Sequence, residues 1–138
     1  MNEHGFTKAI LRILPASVHV QSMTMAALTT NGTPDRYLDY KRDLWVEFKY
    51  ADTSGARKGL NVGEGDKSML SAQQKLWLRR RFDAGGNALV VVGVPSDRTR
   101  GFVLTEADHW ESRVSPEFIM RNIRNAPEIA AYILSRVS

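Results

Sequence analysis

The sequence contains no cysteine, and this absence excludes two kinds of chemistry. The protein forms no disulfide and holds no metal through a thiolate, so a metal site must use oxygen or imidazole ligands. Hard cations such as Mg²⁺ prefer carboxylate oxygens and water. The absence also fits the reducing environment of the cytoplasm.

Long apolar runs are missing as well. No stretch is long enough to cross a membrane, and the first residues lack the basic and then apolar pattern of a secretion signal. We therefore expect a cytoplasmic protein without a membrane partner. Apolar residues still make up 43% of the 138 residues, which is sufficient for one packed domain.

The charge balance favours an anionic partner. The net charge is +4 and the sequence pI is about 9.6. A basic protein associates readily with polyanions, and nucleic acid is one of them. Because many basic proteins of this size bind nothing anionic, the choice depends on particular residues.

Apolar periodicity and turn residues predict a single α/β domain over 1–138. The predicted elements are a helix over 3–14, a strand within 17–28, strands over 36–40, 44–50, 88–94 and 102–105, and helices over 71–83, from 116 and over 128–137. Their order predicts a small central mixed sheet flanked by helices. We expect a core over 1–105 and a helical extension over 106–138.

Two charged residues interrupt the apolar strand over 44–50. The strand alternates, so Glu47 and Lys49 share one face with Trp45. A carboxylate in such a strand needs a partner, a metal ion or water. A simple ion pair on a solvated face is the commoner explanation of two such charges, so a third residue is needed to choose.

Asp35 is that third residue if the hairpin turn has three residues. Tyr40 would then pair with Leu44. Asp35 would lie opposite Lys49, on the face that carries Glu47, whereas a turn one residue longer or shorter would move Asp35 to the other face. Two carboxylates on one face can hold Mg²⁺, which activates water and neutralises charge during phosphodiester cleavage. Lys49 would orient the water or screen the phosphate.

These residues carry a resemblance to a known superfamily. Pro34-Asp35 followed by Glu47-Phe48-Lys49 resembles the pattern of PD-(D/E)XK nucleases. The likeness narrows to VRR-NUC and phage resolvase-like members, and covers about residues 1–95. The matching stretches are Gly32-Thr33-Pro34-Asp35, Trp45-Val46-Glu47-Phe48-Lys49, Leu70-Ser71-Ala72-Gln73-Gln74-Lys75-Leu76-Trp77, and Gly85-Gly86 before the strand over 88–94. The resemblance implies a restriction-endonuclease-like core.

The resemblance also implies roles for two further side chains. Gln74 matches a glutamine that lies beside the metal-bound water or a phosphate. Because Ser71-x-x-Gln74 is also a capping box, the same glutamine has a structural explanation, and both can hold. Glu3 matches a glutamate that the first helix adds to the metal site. Its alternative is a favourable interaction with the helix dipole.

Basic residues beyond the strand are candidates for contact with the DNA backbone. Lys75 and Arg79 lie four apart on one face of the predicted helix. Lys58 and Lys67 lie within 51–68, a segment with four glycines and no apolar periodicity. We interpret that segment as a long mobile loop that closes over a phosphate. Ordinary solvated surfaces are the alternative.

The combined interpretation is a Mg²⁺-dependent DNA endonuclease with catalytic Asp35, Glu47, Lys49 and Gln74, in which Mn²⁺ substitutes for Mg²⁺. The resemblance implies duplex or branched DNA as substrate and junction-resolvase-like selectivity. It also implies a phage-encoded protein that acts in the cytoplasm of the bacterial host cell. Two-fold substrates favour a homodimer. Two alternatives stay open. One is a non-catalytic DNA-binding subunit of a recombination or packaging complex; the other is an RNA nuclease, since nothing in the sequence reads a 2′-hydroxyl.

Overall fold

The computed structural model describes residues 1–23, 32–52 and 58–138. Its elements in chain order are α1 (Glu3–Leu11), β1 (His19–Ser22), β2 (Arg36–Asp39), β3 (Asp43–Tyr50), β4 (Leu60–Asn61), α2 (Ala72–Asp83), β5 (Ala88–Val94), β6 (Arg100–Leu104), α3 (Ala107–Trp110), β7 (Arg113–Val114), α4 (Pro116–Asn122), β8 (Arg124–Asn125) and α5 (Ala126–Val137). Among these helices, none is both long and apolar enough to span a bilayer.

The main sheet is mixed, as the element order predicts. Within the described ranges it has the strand order β1-β2-β3-β5-β6-β8. β3 and β5 run parallel, and every other neighbouring pair in this sheet is antiparallel. All residues of β5 are buried, which is the pattern of a central strand covered on both faces. β4 and β7 form a separate two-stranded sheet.

The two faces of the main sheet bury separate apolar cores. On one face, Phe48 of β3 packs with Phe6 of α1 and Ile133 of α5. On the other face, Val90 of β5 packs with Leu78 of α2, and α3 and α4 complete this core. Burying a side chain of this size contributes about 1.5–3 kcal/mol. The paired cores therefore hold β3 and β5 firmly at the centre of the molecule.

Helix α1 begins where the sequence predicts and ends one turn early. Asn2 caps it by accepting a backbone hydrogen bond of 2.8 Å. Its last residue is Leu11, whereas the apolar spacing predicted 3–14. Pro15 has no N–H to donate to Leu11 O and disfavours a helical conformation at Leu14, so the helix does not continue to residue 14. Leu14 still packs against the core, which explains why its spacing looked helical.

The hairpin between β2 and β3 corrects the predicted register. Asp39 pairs with Asp43 around a turn of residues 40–42, so the predicted pairing of Tyr40 with Leu44 is wrong by two residues. Side chains return to the same face of a strand every two residues. A shift of two therefore leaves every side chain of the hairpin on its predicted face.

The segment over 51–68 has more structure than predicted. Residues 53–57 lie outside the described residues. Beyond them, β4 pairs with β7, Leu70 N donates to Val62 O at 2.9 Å, and Val62 is fully buried. The prediction of a loop without regular structure is therefore wrong over 60–62, where backbone pairing and burial fix the chain.

Short elements in the last third of the chain were not predicted. α3, β7 and β8 have only two to four residues each, too few for a periodic pattern. β6 begins at Arg100, and β8 pairs with its first two residues, so β6 is an outer strand only beyond that point. Helix α5 begins two residues before the predicted range, after a capping box formed by Asn125 and Glu128. Its apolar face packs in the same core as α1.

Candidate active site

The two predicted metal-binding carboxylates lie side by side on adjacent strands. Asp35 continues the β1–β2 ladder, since its carbonyl accepts a hydrogen bond from Met23 N at 2.9 Å. One step beyond the observed pair of Arg36 and Val46, Asp35 lies opposite Glu47, and the predicted position opposite Lys49 is wrong. Directly opposed side chains have Cβ atoms about 5 Å apart. The observed register therefore brings the carboxylates closer together than predicted.

Asp35 is held in place by the neighbouring strand and by α2. Its Oδ2 accepts a hydrogen bond from Phe48 N at 3.1 Å. Three residues earlier, Gly32 has a φ of +89° and lies so close to α2 that a Cβ would be 2.3 Å from Gln73 O. Only glycine meets both requirements without strain. The segment before Asp35 therefore rests directly on the start of α2.

Glu47 is the buried centre of the site. Its side chain belongs to a residue only 1% exposed. Oε2 lies 3.5 Å from Lys49 Nζ and accepts a hydrogen bond of 3.3 Å from Gln74 Nε2. Oε1 is also buried, yet among the described residues it has no hydrogen-bond partner. A buried acceptor without a partner costs about 1–3 kcal/mol, so a hydrogen-bond donor or a cation placed at this atom would be stabilising.

The electrostatic environment of Glu47 is poised for a cation. Burial, and then the charge of Asp35, raise the pKa of Glu47 from 4.5 to about 8, and Lys49 opposes this by lowering it. One neighbouring ammonium is thus insufficient to stabilise the carboxylate. A divalent cation between the two carboxylates would favour the ionised form.

Gln74 combines the two roles that its sequence context allows. Its backbone N donates to Ser71 Oγ at 3.1 Å, and its Oε1 accepts from Ser71 N at 2.9 Å, which completes the capping box of α2. Its remaining amide group donates to Glu47. The cap fixes the amide orientation, so the donor is directed at the carboxylate without further support.

Glu3 lies at the edge of this group. It is the first residue of α1 and is exposed. Partial burial of its carboxyl raises the pKa, the charge of Lys49 lowers it, and Asp35 raises it, which places Glu3 within electrostatic reach of the site. Among the described residues, however, no three His, Asp or Glu side chains are arranged to hold a metal ion. The role of Glu3 as a third ligand stays a prediction.

The residues present fit a Mg²⁺ ion. Asp35 and Glu47 offer hard oxygen donors, and Glu47 Oε1 is a buried acceptor without a partner in the described structure. Mg²⁺ keeps several waters and is commonly held by one or two carboxylates together with substrate phosphates. Two protein ligands are therefore sufficient, and a third carboxylate is not required.

The predicted backbone contacts fall into two groups. Lys75 Nζ donates to the carbonyls of Gly63 and Gly65 at 3.0 Å each, and Arg79 forms a two-pronged ion pair with Glu111. Both cations are thus used within the fold. Lys58 and Lys67, in contrast, are exposed. Their availability agrees with a phosphate contact, which stays a prediction.

Comparison with known proteins identifies the fold. The structure is similar to that of Hjc, a Holliday junction resolvase from the archaeal hyperthermophile Archaeoglobus fulgidus. The TM-score is 0.56 at 12% sequence identity, over 94% of this chain and 96% of that chain. The chain has a restriction-endonuclease-like fold. This confirms the predicted fold class. No family model and no curated protein matches the sequence.

Sequence reasoning missed how the fold supports the site. Gly32 belongs to the stretch that carries the resemblance, but nothing in the sequence showed that it packs on the backbone of α2. The hydrogen bond from Phe48 N to Asp35 was equally hidden, because it depends on the register of the hairpin. The Asp35 side chain is therefore positioned by contacts that only the folded chain displays.

Proposed function

We propose that this protein is a Mg²⁺-dependent DNA endonuclease of the PD-(D/E)XK type, akin to VRR-NUC and phage resolvase-like enzymes. One observation carries the proposal: Glu47 is buried beside Asp35 with an oxygen that no described group satisfies. A carboxylate that served only the fold would be neutralised by its own partners. The likeness in fold to a Holliday junction resolvase supports the same conclusion.

The mechanism assigns a distinct task to each side chain. Asp35 and Glu47 would hold the cation, which when bound supplies charge neutralisation and an acidified water. Lys49 carries its ammonium at the edge of the pair, 3.5 Å from Glu47 Oε2, where it screens the approaching phosphate or orients the attacking water. Gln74 keeps the Glu47 carboxylate oriented through its amide. Mn²⁺ should support the same arrangement, because it accepts the same oxygen ligands.

The substrate is proposed to be duplex or branched DNA, cut by a homodimer. A symmetric pair of sites suits a two-fold substrate such as a four-way junction. Lys58 and Lys67 are the exposed cations that we expect to contact the backbone. A single monomeric species by light scattering, with and without junction DNA, would contradict the dimer.

Cleavage of supercoiled, linear, single-stranded and four-way-junction DNA, and of a matched RNA, with Mg²⁺ or Mn²⁺ tests the proposal. Asp35→Asn and Lys49→Ala should each lower the rate at least about 100-fold, because metal ligands and transition-state charges contribute several kcal/mol. Glu117→Gln is the matched control. Glu117 is an exposed acid in the first turn of α4, so this variant should cut at nearly the wild-type rate.

The outcomes separate the alternatives. Preference for the junction supports resolvase-like selectivity, and equal cutting of RNA supports the RNA nuclease. Metal-independent DNA binding without any cleavage supports a non-catalytic subunit. If Asp35→Asn and Lys49→Ala cut as fast as the wild type, the assigned site is wrong.

A further inference from the structure

A second concave site lies at the far end of α2 from Gln74. It is a pocket of about 520 Å³ lined by Arg42, Asp43, Arg81, Gly86, Asn87 and Arg136. These residues come from the hairpin turn, the ends of β3 and α2, the approach to β5, and α5. We call it the arginine pocket, since three guanidinium groups converge there.

Two of the three guanidinium groups are held in place by oxygen acceptors. Arg136 donates through both Nε and Nη2 to Asn87 Oδ1, with an Nε distance of 2.9 Å. Arg42 donates through Nε to Ser138 O at 3.1 Å and through Nη2 to Ser135 O at 3.3 Å. The Asn87 amide oxygen orients the Arg136 guanidinium but does not cancel its charge. Both side chains are therefore held in place, and Arg136 keeps its charge available to an anion.

The third guanidinium is positioned by a glycine. The Arg81 side chain lies against Gly86, where a Cβ would be 2.3 Å from Arg81 Nε. That Nε is buried and has no partner among the described residues. The acid facing this guanidinium is Asp43, whose Oδ2 lies 3.7 Å from Arg81 Nη2 and also accepts the hydroxyl hydrogen bond of Tyr37.

The charge balance identifies the class of ligand. Three of the lining residues are arginines and one is an acid, Asp43, while Ser138 O faces Arg42 and Asp39 pairs with Asp43 across the hairpin. A guanidinium fork matches the oxygens of a phosphate in a bidentate way. Fixed arginines also lose little conformational freedom when such a group binds. The pocket is therefore suited to a phosphate.

Its distance from the candidate active site suits a polymer. Arg81 follows Gln74 by seven residues on α2, which is two turns and about 10 Å on one face. Asp43 precedes Glu47 by four residues on β3, which is about 13 Å. Trp45 and Trp77, with ring centroids 4.9 Å apart, fill the space between. At about 3.4 Å of rise per nucleotide in a duplex strand, the two sites are a few nucleotides apart.

We propose that the arginine pocket binds a backbone phosphate of the nucleic acid, a few nucleotides from the phosphate at Asp35 and Glu47. The residues of the pocket alone support binding of a phosphate. Only the identification of the ligand as nucleic acid rests on the proposed function. The contact would set the register of the strand on the protein, because backbone contacts position a duplex without reading its sequence.

Binding in metal-free buffer tests this inference apart from cleavage. Amide resonances of Gly85, Gly86 and Asn87 would be followed during titration with inorganic phosphate and, separately, with a short DNA duplex. Both ligands should shift these amides. Arg81→Gln should weaken duplex binding at least about tenfold, since a hydrogen bond to a charged group is lost. Lys41→Gln, an exposed cation in the same turn that does not line the pocket, should change affinity less than about twofold.

Each outcome decides the matter. Pocket amides that move with neither ligand, or an Arg81→Gln variant that binds duplex as the wild type does, would overturn the inference. A shift with inorganic phosphate but not with duplex would assign the pocket to a small phosphate ligand and overturn the polymer contact. If Arg81→Gln unfolds, Arg42→Gln at the pocket's other side provides the same comparison. A protein that binds duplex through the pocket but never cuts would keep this inference and reject the nuclease.

Discussion

Replacing Glu47 with glutamine should change how the stability of the metal-free protein depends on pH. Burial and the charge of Asp35 raise the pKa of Glu47 from 4.5 to about 8 in the folded state. The folded state therefore holds this proton more tightly than the unfolded chain does. The stabilisation is complete below pH 4.5 and is lost as the pH rises through about 8. Glutamine has no proton to lose, so the variant lacks this dependence.

The size of the effect follows from the two pKa values. Each pKa unit corresponds to about 1.4 kcal/mol, so the whole loss is at most about 5 kcal/mol. Between about pH 5.5 and 7.5, the wild type should lose about 2–3 kcal/mol relative to Glu47→Gln. Saturating Mg²⁺ should remove most of this difference, because metal ligands bind in the deprotonated form.

Urea unfolding followed by tryptophan fluorescence would measure the effect, since Trp45 and Trp77 lie together beside the site. The free energy of unfolding would be determined for wild type, Glu47→Gln and Asp39→Asn across that pH range. Asp39→Asn should follow the wild type, because Asp39 is exposed. If wild type and Glu47→Gln stay parallel within about 0.5 kcal/mol, the buried carboxylate is not a strained group and the reasoning fails.

Three further predictions concern the groups around the site. Lys75→Met should lower the free energy of unfolding by about 1–3 kcal/mol, because its two carbonyl contacts are lost. The affinity of this variant for DNA should stay within about twofold of the wild type. A large loss of affinity at unchanged stability would show that Lys75 contacts DNA instead. Gly32→Ala should destabilise the protein by more than about 1 kcal/mol and lower cleavage, because of its positive φ and its contact with α2; wild-type melting and cleavage would contradict this. Ser71→Ala should lower stability by about 1 kcal/mol through the lost cap, while cleavage persists. Gln74→Ala should lower both stability and cleavage. Equal cleavage by the two variants would show that Gln74 serves only as part of the helix cap.

The sequence predicted the parts of this fold that have strong local patterns. The valine-rich strand β5 and the helix between Ser71 and the glycine turn lie where expected, because continuous apolar runs, caps and glycines act locally. The face shared by Asp35 and Glu47 was also predicted, although the register was wrong by two residues. That error was harmless because the side-chain period of a strand is two.

Other features depend on contacts that are distant in sequence. The arginine pocket joins the hairpin turn to α5, and the side chains of Arg42 and Arg136 are oriented by carbonyls and an amide that no motif marks. Lys75 and Arg79 share a helix face as expected, yet their partners are a glycine loop and Glu111. A helical pattern shows which residues are neighbours on the helix, but it does not show what the tertiary structure places opposite them.

α2 and β3 pack antiparallel to each other, and this arrangement limits the insertions and deletions that the two elements can accept. Gln74 contacts Glu47 at one end of the interface, and Arg81 contacts Asp43 at the other. One residue inserted in the helix between these contacts would rotate everything beyond it by about 100°. One residue inserted in the strand would exchange its faces. An insertion scan should therefore find no tolerated position in α2 between Gln74 and Arg81 or in β3 between Asp43 and Glu47. Insertions in the turn at Lys41 should leave both contacts in place.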